Sequence, residues 1–205
     1  MKNLSLAAAL AAAAIASSAS AQELYYGGGL TYTHGESTPE FGGTATLDAP
    51  MLSLIVGQRY GAGSGSTFWG WEANGDFSFG ADTDGPGVLT TCGASAGADG
   101  PYLCQQQATV RVVGVYGTAL ANGMEVFGTL GFGALLGDFA TSSSTSASGS
   151  VYGATVSLGL SREVATNMAV RGEVIYDKFD TANQSGGFVS NYTGTTVRLA
   201  LIRKF

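Results

Sequence analysis

The stretch FWGWEANGDFSFG, residues 68–80, alternates two kinds of side chain with a period of two. One set is polar and contains Glu72, Asn74 and Asp76. The other set is aromatic or small and contains Trp69, Trp71, Ala73, Gly75, Phe77 and Phe79. Successive residues of a β-strand point to opposite faces, so this stretch predicts a strand with one acidic face and one strongly apolar face. The class of protein that can contain such a strand depends on which of its two faces points towards the protein interior.

Composition favours the arrangement in which the apolar face points outward. Charged residues make up 12% of the chain, about half their usual share in soluble domains, and glycine reaches 32 of 205 residues. After the N-terminal region no segment approaches the length of a membrane-spanning helix. Because every backbone N–H and C=O must be paired inside a bilayer, a closed β-barrel facing lipid is the remaining way for this chain to span one.

The first 21 residues have the pattern of an export signal. Lys2 precedes an apolar run from Leu4 to Ile15, and Ala19-Ser20-Ala21 is a small-x-small cleavage sequence. We therefore predict a signal peptide over residues 1–21 and one barrel domain over residues 22–205. The formal net charge of −6, with Arg203-Lys204 as the one basic cluster, argues against a nucleic-acid partner.

Turn signals divide residues 22–205 into eight strand-like segments. They are predicted near Leu24–Thr33, Thr46–Tyr60, Thr67–Gly80, Gln106–Thr118, Met124–Ala140, Ser150–Arg162, Met168–Phe179 and Tyr192–Phe205. The connections alternate in length: Gly61–Ser66, Ala119–Gly123 and Glu163–Asn167 are short, whereas His34–Gly43, Ala81–Gln105, Thr141–Gly149 and Asp180–Asn191 are long. Because membrane barrels have short periplasmic turns and longer extracellular loops, the pattern predicts an all-β, eight-stranded, antiparallel up-and-down transmembrane barrel.

This arrangement places charged side chains inside the barrel, where eight strands leave an interior just wide enough to be filled by side chains. The inward positions include four arginines and four acids: Arg59, Glu72, Asp76, Arg111, Glu125, Arg171, Glu173 and Arg198. Unpaired charges removed from water are costly, so we expect these groups to pair and to plug the lumen. Inward glycines such as Gly57, Gly133 and Gly159 are expected to leave room for the arginines.

Two cysteines and one histidine lie in the predicted loops. Cys92 and Cys104 share the longest loop, and two nearby cysteines in an exported protein predict a disulfide. His34 opens the first long loop beside Glu36 and Ser37, which are residue types that a hydrolase uses. Neighbours in a loop do not by themselves form the geometry that activates a nucleophile, so we interpret His34 as a solvated loop residue. No catalytic, cofactor or metal site is predicted.

The export signal, the eight amphipathic strands, the alternating connections and the terminal Phe205 together resemble the small outer-membrane β-barrel superfamily. That group includes the OmpA-type transmembrane domain and the opacity-like, porin-like surface proteins. The last strand, TVRLALIRKF, is similar to the C-terminal signal that the outer-membrane assembly machinery reads in this family: Val197, Leu199, Leu201 and Phe205 match it, and Arg203 departs from it. The resemblance implies a monomer in the outer membrane of a Gram-negative-type envelope, in contact with its lipids and lipopolysaccharide.

Three classes of function stay open at this point. The first is a non-enzymatic envelope barrel with a plugged lumen, whose external loops contact lipopolysaccharide, host surfaces or other ligands. The second is a narrow channel or a carrier for small molecules. The third is a lipid-modifying enzyme that uses His34 and Ser37 together with Glu36.

Overall fold

The computed structural model describes residues 22–39, 45–61, 67–79, 102–120, 123–142, 145–180 and 190–205. They form eight strands: β1 (Gln22–Pro39), β2 (Ala45–Tyr60), β3 (Thr67–Ser78), β4 (Tyr102–Ala119), β5 (Met124–Ser142), β6 (Thr145–Ala165), β7 (Met168–Asp180) and β8 (Ser190–Lys204). Each strand pairs with the next one along the chain, and β8 pairs antiparallel with β1, so the sheet closes into a barrel. The predicted fold is confirmed. The signal peptide predicted over residues 1–21 lies outside the described residues.

Burial alternates along the strands as the sequence alternates in polarity. In β7 the buried series is Ala169, Arg171, Glu173, Ile175, Asp177 and Phe179, and the residues between them are exposed or half-buried. A single closed sheet has no second layer, so the buried residues face the lumen and the others face the surroundings. The described residues contain no helical segment with the length and apolar character that a membrane-spanning helix requires.

The outward face carries an apolar belt that runs around the barrel. Its most exposed members include Leu30, Leu130, Phe132, Leu158 and Leu199, which are 61–77% exposed. In β3 the side chains of Trp69 and Phe77 are exposed, whereas Glu72 and Asp76 are fully buried. Soluble monomers rarely expose a contiguous apolar surface of this kind, and a lipid environment removes its cost. The apolar face of the barrel is therefore its lipid-facing side.

The two ends of the barrel differ in their connections. At one end, β2 and β3, β4 and β5, and β6 and β7 are joined by short segments in which Gly61, Gly123 and Asn167 have φ angles of 87°, 74° and 60°. Glycine and asparagine tolerate this left-handed conformation better than other residues do. The opposite end carries the two longest connections, between β3 and β4 and between β7 and β8. Because membrane barrels have short turns on the periplasmic side and their longer loops outside, we assign the end with Gly61, Gly123 and Asn167 as the periplasmic end and the opposite one as the extracellular end.

At the extracellular end the strands continue further than their sequence predicts. β1 runs to Pro39, so His34 and Ser37 are strand residues and the loop predicted from His34 is wrong. β5 ends at Ser142 and β6 begins at Thr145, so the long connection predicted over Thr141–Gly149 is wrong as well. Beyond the lipid both faces of a strand are polar, and the alternation that marks a strand in the sequence disappears although the hydrogen-bond ladder continues.

Candidate functional site

Seven charged side chains meet in the middle of the lumen, and we call them the central network. They are Glu72 and Asp76 of β3, Arg111 of β4, Arg171, Glu173 and Asp177 of β7, and Arg198 of β8, and none is more than 4% exposed. The strands β3 and β4 lie across the barrel from β7 and β8. Ion pairs between these two groups of strands therefore cross the lumen.

Arg111 makes the best-defined of these crossing contacts. Its Nε and Nη2 donate to the two carboxylate oxygens of Asp177 at 2.9 and 2.6 Å, which is a bidentate pair. Its Nη1 also donates to Asp76 on the neighbouring strand. Bidentate arginine–carboxylate pairs are both stronger and more specific in geometry than single charged hydrogen bonds. Arg111 thus fixes the β4 side of the lumen to β7.

Arg171 and Arg198 complete the central network. Arg171 donates to Glu72 across the lumen and to Glu173 at 3.0 Å on its own strand. Arg198 donates to Glu173 at 3.2 Å and to both carboxylate oxygens of Asp76 at 3.1 Å. Each of these arginines therefore bridges at least two acids, so that removal of any one of them would take a cation away from at least two buried carboxylates.

Six of the eight charged residues that the sequence predicted for the lumen belong to the central network. The remaining two, Arg59 and Glu125, pair with each other at 2.7 Å nearer the periplasmic end. The sequence interpretation missed Asp177, although the alternation that turns Arg171 and Glu173 inward also turns Asp177 inward. It also missed Lys204, whose Nζ lies 3.4–3.7 Å from carboxylate oxygens of three acids, Glu23, Glu125 and Glu163.

The inward glycines accommodate aromatic rings, not arginines as predicted. A Cβ added at Gly159 would lie 2.1 Å from the ring of Phe127, and one at Gly57 would lie 2.4 Å from the ring of Tyr25. The guanidinium of Arg171 in turn lies 4.1 Å from the centroid of Phe127. Cation–π contacts of this kind are favourable when the cation is removed from water. The glycines make space for the rings, and the rings support the arginine.

Apolar layers lie above and below the central network. Towards the extracellular end the lumen is filled by Leu47, Leu103, Leu135, Phe139, Val151, Phe179 and Tyr192. Towards the periplasmic end Phe68, Val113, Val115 and Phe127 pack together. Exclusion of water lowers the local dielectric constant and strengthens the ion pairs between these layers.

Comparison with known proteins finds this architecture among solved structures. No protein-family model and no curated protein matches the chain. Among solved structures, Ail, the attachment invasion locus protein of Yersinia pestis, in complex with the heparin analogue sucrose octasulfate, is 15% identical with a TM-score of 0.53, over 90% of this chain and 99% of Ail. Neisserial surface protein A is 12% identical with a TM-score of 0.51, over 92% of this chain and 100% of that protein. OprG from Pseudomonas aeruginosa is 13% identical with a TM-score of 0.51, over 90% of this chain and 95% of OprG.

This is the fold of the small eight-stranded outer-membrane β-barrels. The resemblance inferred from the sequence is therefore confirmed at the level of the fold. The outer-membrane location that it implied agrees with these neighbours and with the apolar belt on the surface of the barrel.

The outer-membrane barrel separates the three residues that a hydrolase would need. His34 is exposed on the outward face of β1, and its Nδ1 lies 2.8 Å from Oδ1 of Asp48. Glu36 is exposed on the same face. Ser37 is buried on the lumen side, where its Oγ accepts a hydrogen bond from the backbone N–H of Leu103 at 3.1 Å. The strand alternation thus keeps the Ser37 hydroxyl and the His34 imidazole on opposite sides of the sheet.

The pair of His34 and Asp48 lies beyond Tyr32, at the extracellular edge of the apolar belt. The hydrogen bond from His34 to the Asp48 carboxylate holds the pKa of Asp48 below its ordinary value of 3.8. Over the part of the barrel that the structure describes, no three His, Cys, Asp and Glu side chains are grouped as a metal site. Cys92 and the side chain of Cys104 lie outside the described residues, so their disulfide stays a prediction.

All four residues of the proposed assembly signal point outward. Val197, Leu199, Leu201 and Phe205 are exposed, and the ring of Phe205 stacks on Tyr26 with centroids 5.2 Å apart. The side chain of Arg203, which departs from the family pattern, is exposed on the same face. Recognition of this strand by the assembly machinery stays a prediction.

Proposed function

We propose that this protein is a non-enzymatic outer-membrane barrel with a closed lumen, and that its working surface is its extracellular rim and loops. The observation that supports the proposal most strongly is the central network. Three of its contacts cross the lumen, from Arg111 to Asp177, from Arg171 to Glu72 and from Arg198 to Asp76. A solute could pass through the middle of the barrel only if these contacts opened.

Opening the lumen carries a large energetic cost. Separating a buried ion pair so that one charge is left alone costs about 3–5 kcal/mol. The three pairs are linked to one another by further contacts. Arg111 also binds Asp76, and Glu173 binds both Arg171 and Arg198, so the pairs would have to rearrange together. The apolar layer at the extracellular end would also have to move aside. These costs favour a closed barrel over the alternative of a narrow channel or carrier.

Planar-bilayer recording with the purified full chain distinguishes the closed barrel from the channel. We expect the wild-type protein to give no steady open current. The variant Asp76→Ala/Arg111→Ala/Arg198→Ala empties the centre of the lumen and should show frequent open events, whereas Leu199→Met, on the lipid-facing side, should behave as the wild type. A steady wild-type conductance in the nanosiemens range would contradict the proposal.

The charge of the described part of the extracellular rim limits which kinds of partner molecule the working surface can bind. The acids on its outward face, Glu36, Asp48, Asp138 and Asp180, outnumber its one fixed cation, Lys178. Ail was crystallised with a heparin analogue, which is a polyanion. The acidic rim of this chain disfavours a polyanion of that kind and favours neutral or cationic partners.

Immobilised heparin tests this part of the proposal. We expect the protein in neutral detergent to pass a heparin column at physiological salt without retention, since like charges repel across the contact. The matched variant Glu36→Lys/Asp180→Lys reverses two of the rim charges and should be retained. Specific retention of the wild type would show that the rim charge does not determine the choice of ligand.

A further inference from the structure

Two arginines face outward at the periplasmic end of the barrel. Arg162 lies on β6 and Arg203 on β8, and both side chains are exposed. They lie on either side of β7, since Arg162 pairs in register with Val170 and Arg203 with Met168. The two positions are thus separated by two interstrand spacings and by two residues along β7. With about 4.8 Å between strands and about 3.4 Å per residue, their Cα atoms are roughly 12 Å apart.

Neither arginine has a counter-charge. No ion pair among the described residues includes Arg162 or Arg203. The nearest acid in the sequence, Glu163, has its carboxylate oxygen 3.7 Å from Nζ of Lys204. The connections 62–66 and 121–122 at this end contain neither Asp nor Glu. Among the described residues of the periplasmic end, the acidic side chains in ion pairs therefore bind Arg59 or Lys204 on the lumen side, and the charged side chains on the outward face are the two arginines.

The position of both arginines along the barrel matches the headgroup region of a bilayer. Arg162 follows Leu160, and Arg203 follows Leu201, each by one step of the outward-facing series. Beside Arg203, the stacked rings of Tyr26 and Phe205 lie where the aromatic girdle of a membrane barrel meets the interface. Arginine side chains at this depth extend towards the headgroups, where lipid phosphates lie. Guanidinium groups recognise phosphate oxygens through paired hydrogen bonds.

We propose that Arg162 and Arg203 form a binding site for an anionic phospholipid in the periplasmic leaflet. The two guanidinium groups reach from either side towards the headgroup above β7, and the acyl chains pack on the outward face of β7 towards the middle of the membrane, against Val170 and Val174. Charge complementarity identifies the occupant, because two unpaired cations at headgroup depth select a lipid with net negative charge over a zwitterionic one. The site rests on the membrane fold alone and does not depend on whether the lumen conducts.

Native mass spectrometry of the delipidated full chain tests this site. The protein is titrated with phosphatidylglycerol or with phosphatidylcholine of the same acyl chains, and the bound lipid is counted. We expect the wild type to prefer the anionic lipid by at least tenfold. Each of Arg162→Gln and Arg203→Gln should lower that preference about fivefold, which is the contribution of one basic residue near an anionic surface. The double variant should bind both lipids within about twofold of each other.

Lys178→Gln is the matched control, because Lys178 is exposed on the outward face of β7 at the extracellular end. It removes one positive charge and should keep the wild-type preference. Heat-modifiable mobility in SDS gels checks that every variant is folded, and the single variants carry the test if the double variant is not. Equal binding of the two lipids by the wild type would overturn the proposal, as would an unchanged preference in folded arginine variants.

Discussion

Arg198 and Leu199 are adjacent in β8, yet they belong to two regions with opposite requirements. Arg198 is 1% exposed and binds Asp76 across the lumen and Glu173 on the neighbouring strand, whereas Leu199 is 62% exposed and faces lipid. In the lumen, a side chain is specified by the particular atoms that it must satisfy. In the belt, it is specified only by being apolar. Residues inside this barrel must therefore match particular charged partners, whereas residues on its outer surface need only be apolar.

The same introduced residue should have very different effects on the two sides. Arg198→Met leaves Asp76 and Glu173 without one of their cations, and we expect it to lower the free energy of unfolding by about 3–5 kcal/mol. Leu199→Met keeps an apolar side chain in lipid and should change it by no more than about 0.5 kcal/mol. Denaturant unfolding in lipid vesicles, followed by tryptophan fluorescence, measures both. Equal effects would show that the central network does not hold the barrel together.

A charge placed in the belt tests the outward half of the comparison. Leu199→Arg puts a guanidinium near the middle of the lipid-facing surface and should cost about 2–4 kcal/mol. Thr195→Arg, in the same strand but beyond the apolar belt, should cost at most about 1 kcal/mol. The same vesicle-based unfolding measurement applies. A cost at position 195 that equals the cost at position 199 would mean that the belt is not in contact with lipid.

Two glycines on opposite faces sharpen the comparison further. Gly159→Ala introduces a Cβ 2.1 Å from the ring of Phe127 and should displace the ring from Arg171, at a cost of about 1–3 kcal/mol. At Gly172, on the outward face, a Cβ meets nothing within 4 Å, so Gly172→Ala should change stability by less than about 0.5 kcal/mol. Thermal unfolding in detergent compares the two variants. The reverse order would contradict the assigned faces.

The smallest expected effect concerns the pH dependence of the extracellular rim. The pKa of Asp48 is lowered in the folded barrel by its hydrogen bond with His34, so the pair contributes stability above pH 3.8 and loses it as the pH falls through the folded-state value. Asp48→Asn should therefore lower the free energy of unfolding slightly near neutrality, and this difference from the wild type should disappear as the pH falls through the folded-state pKa of Asp48. Unfolding measured between pH 2 and pH 7 checks this. A difference that is as large at pH 2 as at pH 7 would assign the effect to another cause.

The fold could be predicted because each strand passes between two different media. Apolar and acidic side chains alternate along β3 only because one face of the strand meets lipid and the other faces the lumen. The apolar set includes Trp69 and Phe77, and the acidic set is Glu72 and Asp76. The same reasoning turned Arg171 and Glu173 inward. Where both faces are polar, as in β5 and β6 near Ser142 and Thr145, that contrast vanishes, and the strands were predicted too short.

The pairing inside the lumen could not be predicted from the sequence. Arg111 pairs with Asp177 and Arg171 pairs with Glu72 because β4 faces β7 and β3 faces β7 at particular heights. Those heights depend on the register of every intervening strand pair, and a shift of one residue in any of them would change the partners. The fit of Phe127 against Gly159 depends on register in the same way. Sequence alternation identifies the inward residues and leaves their partners undetermined.

The seam between β1 and β8 has a consequence for how this chain reaches its final state. The other seven seams join strands that are consecutive along the chain, whereas Tyr25 in β1 pairs with Lys204 in β8, almost the whole length of the domain away. Pairing two such distant segments has the largest entropic cost of loop closure among the strand pairs of the barrel. We therefore infer that the β1–β8 pairing forms last. Until the barrel closes, the unpaired edges of β1 and β8 can pair with strands of another chain. We therefore expect misassembly to occur mainly when this last step is delayed.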